Sequence, residues 1–179
     1  MTKKSLKFIC GALILAFVSL FAACALETPQ AFAAMSDKNF VEFCGRRKPG
    51  EVFAELVKGA NVNAKNNEGM TALMFAARRN SNPGVITVLI KAGADANAEN
   101  QIGTTALMLA ARWNSNPEVI TALIQGEAYV SAKDRDGLTA LILAARDNSN
   151  PEVITALIEK GADVNAKNNE GMTALMFAA

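Results

Sequence analysis

The chain has 179 residues, 51% of them apolar, and carries 18 Lys and Arg against 17 Asp and Glu with no histidine. Near neutrality removes the electrostatic case for nucleic acid or an anionic membrane surface. The lack of histidine removes the commonest general base and the commonest metal ligand.

The first 33 residues read as a targeting segment. Lys3, Lys4 and Lys7 precede an uncharged run from Phe8 to Leu26, and Ala31-Phe32-Ala33 offers small residues where a signal peptidase reads them. The pattern predicts a signal helix over 1–33, cut after Ala33. The same run is long enough to span a bilayer as an uncleaved anchor, and Phe21-Ala22-Ala23-Cys24 resembles a bacterial lipobox with phenylalanine where leucine is usual. The expected setting is bacterial and exported, a Gram-negative periplasm, with lipidation at Cys24 or a membrane anchor as the alternatives. Membrane contact is expected only through this leader, if uncleaved or lipidated.

Removing the leader leaves 146 of the 179 residues, enough for one domain. Losing Lys3, Lys4, Lys7 and Glu27 turns 18 basic and 17 acidic residues into 15 and 16. Cys10 and Cys24 go with the leader, so Cys44 is alone and no internal disulfide can form. Cys44 aligns with Ala77 of the next unit, which favours a buried structural thiol over a redox or dimer-forming one.

From Met35 onward the chain is periodic. The stretch Gly137 to Glu170 has equivalents opening at Gly69, Gly103 and Gly171, a period of 34 residues. Gly103 to Asp136 matches it at about two-thirds of positions without a gap, and Val164 to Ala179 repeats Val62 to Ala77 residue for residue. Such a period marks a stacked solenoid. The predicted organisation is a divergent capping unit over 34–67, repeats over 68–102, 103–136 and 137–170, and the first helix of a further unit over 171–179. In the capping unit Phe40 and Phe43 supply bulk, and Asp37, Lys38, Glu42, Arg46, Arg47 and Lys48 cover the open end.

Within the unit, Thr139 is placed to cap a short helix, and Asn148 is expected to end it in the left-handed conformation. Asn150 caps a second helix with Pro151 at its first position and Glu152 in its first turn, and that helix stops at Gly161. The remainder is rich in turn formers and reads as a hairpin. Helices this short are marginal alone. Stacking is therefore required, with Ala144 and Ala145 allowing close approach and Leu141, Val153, Ile154, Leu157 and Ile158 filling the layers.

These motifs resemble the ankyrin repeat. Its T-P-L-H-x-A-A…E-V-V…L-L-x-x-G-A-D-V-N-A pattern is met by Thr139-Ala140-Leu141-Ile142, Ala144-Ala145, Glu152-Val153-Ile154, Leu157-Ile158 and Gly161 to Ala166, and the likeness extends over about Asp37 to Ala179. The family's proline and histidine are replaced by Ala72 and Met74, Ala106 and Met108, Ala140 and Ile142, and Ala174 and Met176. Each unit also holds one residue more than the usual 33, in its Asn-Ser-Asn-Pro turn. The resemblance implies an all-α solenoid of stacked helix-turn-helix units with hairpin loops, and non-enzymatic binding of a protein partner through a concave groove and the hairpin tips.

The expected groove residues are Arg78 and Arg79, Arg112 and Trp113, and Arg146 and Asp147, which follow the paired alanines. From the tips the resemblance adds Met70, Gln101, Ile102, Thr104, Arg135, Asp136 and Leu138. Trp113, the only tryptophan, is expected at the centre, between arginines and with Ile102 and Leu138 at the tips; an exposed indole needs a reason. Its repeat is also the irregular one, with Gly126-Glu127 where Gly93 and Gly161 end their helices and with Tyr129 and Ser131 in place of Asp and Asn. Tyr129 therefore joins the candidates, since Tyr and Trp are frequent interface hot spots.

No cofactor, metal or small-molecule substrate is expected. Asp134-Arg135-Asp136-Gly137 lacks the further ligands of a calcium loop, and no Gly-x-Gly-x-x-Gly or Gly-Lys-Thr occurs. The last unit copies an internal stretch and has no polar cap, which suggests a fragment of a longer array or end-to-end association.

Overall fold

The computed structural model describes residues 35–179. The signal segment, its cleavage point after Ala33 and Cys24 lie outside the described residues.

Nine helices are found among the described residues, and their starts follow the predicted caps. The first helices of the units are α1 (Asp37–Phe43), α3 (Ala72–Arg79), α5 (Ala106–Trp113), α7 (Ala140–Asp147) and α9 (Ala174–Ala178). Each second helix, α2 (Pro49–Val57), α4 (Pro83–Lys91), α6 (Pro117–Gln125) and α8 (Pro151–Glu159), begins at a proline. The hydroxyls of Thr71, Thr105 and Thr139 accept from the amides of Met74, Met108 and Ile142 at 3.3, 3.4 and 3.3 Å, and Asn82, Asn116 and Asn150 cap the second helices in the same way. One free amide at each start is thereby satisfied.

No helix of this length would persist alone. First helices pack on first helices from α1 through α9, second helices on second helices from α2 through α8, and α3, α5 and α7 each pack on the second helix of their own unit. In α3 every residue from Ala72 to Ala77 is buried, and Leu73, Leu107 and Leu141 lie in one column with Val85, Leu89, Val119, Leu123, Val153 and Leu157 behind them. Each large side chain buried in this way contributes about 1.5–3 kcal/mol. Ile158, expected among them, is instead 45% exposed, because α8 has a second-helix neighbour on the α6 side alone. Phe40, Val41 and Cys44 close the core at α1, and the surrounding Asp37, Lys38, Glu42, Arg46, Arg47 and Lys48 are exposed.

Asn148 does not take the left-handed conformation; its φ is −94° and its ψ 128°, extended backbone shared by Asn80 and Asn114. The reason is the work of its side chain. Asn148 Nδ2 donates to the carbonyls of Ala111 and Asn114 in the preceding unit, at 2.7 and 3.0 Å, while its Oδ1 accepts from Asn150 N–H at 2.9 Å. Asn114 does the same to Ala77 and Asn80, and Asn80 to Cys44 and Arg47. The three form a continuous amide spine linking four first-helix ends. The left-handed turn falls after the second helix, at Gly59, Gly93 and Gly161, and at Glu127, the one non-glycine with positive φ among the described residues.

Candidate partner-binding site

The spine asparagines directly follow the pairs Arg78-Arg79, Arg112-Trp113 and Arg146-Asp147. Each first helix therefore ends at a point tied to its neighbour, and the side chains just before the tie are brought into register. They form an unbroken run across the units. The Arg78 guanidinium lies 5.7 Å from the Trp113 ring centroid, and Arg112 lies 4.6 Å from the same ring. Arg112 Nε is 2.7 Å from Asp147 Oδ2, whose other cation is Arg146 at 3.0 Å; Arg146 in turn lies 5.9 Å from the Phe177 ring. Arg79 extends the set sideways, 5.6 Å from Phe75.

Trp113 is 51% exposed although two guanidiniums flank it. Cation–π contacts of this kind are worth about 0.5–1 kcal/mol at exposed sites, enough to favour one ring orientation while half the residue stays exposed. Arg112 Nε is buried against Asp147 without an aligned hydrogen bond, so that contact is an ion pair alone. Exposed pairs contribute little to stability; their effect here is to place charge.

The hairpin tips divide the other candidates. Ile102 is 59% exposed, and its carbonyl accepts from Arg135 N–H at 3.3 Å, so these two neighbours meet at adjoining tips. Gln101 and Asp136 are exposed as well. Leu138 is not: it is 7% exposed, and Met70 and Thr104 at equivalent positions are buried too. Their amides are held by the turn asparagine or aspartate three residues before the glycine, Asn66, Asn100 and Asp134, at 2.9 Å, which turns the side chain inward ahead of the capping threonine. Leu138, Met70 and Thr104 therefore leave the candidate surface. Gly69, Gly103 and Gly137 need both their positive φ and their lack of a side chain: a Cβ on Gly103 would sit 3.2 Å from Arg135 N.

Tyr129 is 67% exposed but lies at the loop that leaves α6, where its N–H donates to Asn97 Oδ1 at 2.7 Å. No contact joins it to the Trp113 run among the described residues. Cys44 is fully buried, and burial pushes its thiol up to about 12, so it is held as a neutral thiol. No group of three His, Cys, Asp or Glu placed to hold a metal occurs among the described residues, and no helix there is long and apolar enough to cross a membrane.

Sequence reasoning missed the spine asparagines and the aromatic partners Phe75 and Phe177. The first had a signal, the return of Asn every 34 residues, but an asparagine that merely ends a helix gives the same signal. The arrangement of cations, an indole and one carboxylate on a rigid row suits recognition of a chain segment.

A family model described as ankyrin repeats, three copies, matches residues 41–134 and 114–179. No curated protein matches the chain. Repeats of this family generally serve as protein–protein interaction modules and are typically non-catalytic. The matched stretches together take in most of the chain, which belongs to the ankyrin-repeat family.

Proposed function

We propose that this chain is an exported, non-catalytic binding module that grips a segment of a partner protein along the groove of its first-helix ends, with the tips at Ile102 and Arg135 as a second line of contact. Trp113 supports this reading: half its surface faces solvent while the Arg78 and Arg112 guanidiniums both lie over its ring. A large side chain fixed in its bound orientation loses little entropy on association, and tryptophan and arginine are both enriched among interface hot spots.

Capturing the partner from periplasmic extract and comparing affinities for the original chain and Trp113→Ala tests the reading. Affinity should fall by about 2 kcal/mol, or roughly thirtyfold, with the melting temperature nearly unchanged because the ring is not in the core. Equal affinity would remove Trp113 from the site. The exported setting rests on the basic start, the apolar run and Ala31-Phe32-Ala33. Mass spectrometry of the mature amino terminus separates a chain beginning at Ala34 from one lipidated at Cys24.

A further inference from the structure

We propose that the segment bound in this groove is acidic, offering carboxylates to Arg78 and Arg79 and an apolar side chain to the exposed surface of Trp113. This rests on the groove reading and adds the chemistry of the occupant.

Charge along the first-helix ends is lopsided. The six positions 78, 79, 112, 113, 146 and 147 hold four arginines, one tryptophan and one aspartate. Asp147 lies against both Arg112 and Arg146, so the downstream half is partly offset from within. Upstream, neither Arg78 nor Arg79 pairs with a carboxylate among the described residues; each lies over a ring instead, Trp113 and Phe75. A guanidinium stacked on an aromatic face keeps its in-plane N–H fork free, the geometry that receives a carboxylate on two donors. Arg46, exposed and aligned with Arg79 one unit earlier, lengthens the cationic side.

The patch is local. The whole chain carries a net charge of only +1, which is poor support for tracking a phosphate backbone. It is well suited to a short run of Asp and Glu beside one apolar residue. Asp147 then sets the polarity of the complex, because it repels acid from the downstream half and leaves the upstream half as the docking end.

A random peptide library selected on the full chain at low salt tests this, with the fluorescence of Trp113, the chain's one tryptophan, reporting engagement. Recovered peptides should carry clustered Asp or Glu next to an aromatic or aliphatic residue and should shift the emission. Arg78→Gln with Arg79→Gln should weaken them about tenfold, the loss expected for charge-assisted hydrogen bonds. Asp147→Asn should tighten them about threefold by releasing Arg112 and Arg146. Unchanged melting curves establish that both variants fold. Peptides that need Trp113 but show no acidic bias, and that ignore the arginine changes, would overturn the acidic occupant and leave the groove reading standing. A single-stranded oligonucleotide that binds more tightly than any recovered peptide, and loses affinity with the arginines, would also overturn it. Peptides that bind Trp113→Ala and the arginine variant as tightly as the original chain would sink the groove reading itself.

Discussion

Of the asparagine positions that tie a unit to its neighbour, one holds throughout while another breaks. In the turn between helices, Asn80, Asn114 and Asn148 each donate to two carbonyls of the preceding unit. In the loop after the second helix, Asn63 spans Gly93 O and Asp95 N–H, and Asn97 spans Glu127 O and Tyr129 N–H, but Ser131 makes neither bond to its counterparts Gly161 and Asp163. The unbroken tie lies next to the run of Arg78, Trp113, Arg112 and Asp147, and the broken one lies away from it. Departures from the repeat pattern at Glu127, Tyr129 and Ser131 therefore gather where they leave the binding row undisturbed.

Cutting one tie of each kind separates their roles. Asn114 is buried and makes three side-chain hydrogen bonds, two to carbonyls and one from Asn116 N–H at 3.0 Å. Asn114→Ala leaves those groups enclosed without partners and should cost about 3 kcal/mol, read from denaturant unfolding. Asn97 bridges groups that water can reach, so Asn97→Ala should cost only about 1 kcal/mol. Equal losses would mean that the two ties do the same structural job.

Most of the architecture was legible because it follows from short-range chemistry. Thr139, Asn150 and Pro151 mark helix starts wherever they occur in this order, and the apolar column of Leu141, Val153 and Leu157 follows from the 34-residue period. The exposure of Trp113 was legible from its position two residues past the paired alanines. What escaped were contacts reaching across units. An asparagine that ends a helix and one that spans to the preceding unit look alike in one strand of sequence, since both favour the same residue at the same place. Leu138 was misplaced because periodicity tells which residues are equivalent and not which way a turn points them; only the bond from its amide to Asp134 shows the inward direction.

Glu127 is the irregular residue on the loop side. Its φ of 65° follows the backbone path of Gly93 and Gly161 at the same place in the unit, and Asn97 Nδ2 donates to its carbonyl at 2.9 Å. Gly126 cannot supply the turn, since its φ is −88° and the space beside it is filled by Ile90, whose Cδ1 would lie 2.2 Å from a Cβ there. Glu127→Gly should therefore raise stability by about 1 kcal/mol, the left-handed cost exceeding glycine's added freedom when unfolded. It should leave Trp113-dependent binding unaltered. A destabilised Glu127→Gly would show that the glutamate side chain has a role the tie does not explain.

The smallest expected effect comes from mending the broken tie. Ser131 sits beside an open cleft of about 360 Å³ that also borders Asp163 and Asn165, so a longer amide side chain has room. In Ser131→Asn, Nδ2 would donate to Gly161 O and Oδ1 would accept from Asp163 N–H, as Asn63 and Asn97 do for their neighbours at 2.7–3.0 Å. Both groups are exposed and already hydrated, so the net gain is only about 0.5 kcal/mol, a rise of about 1–2 °C in melting temperature. Amide exchange is the more telling measurement. The Asp163 N–H should slow in the variant while the Tyr129 N–H, already bound to Asn97, stays as it was. If Asp163 exchanges as before, the third and fourth units differ in loop register as well as in one side chain, and the break cannot be ascribed to Ser131 alone.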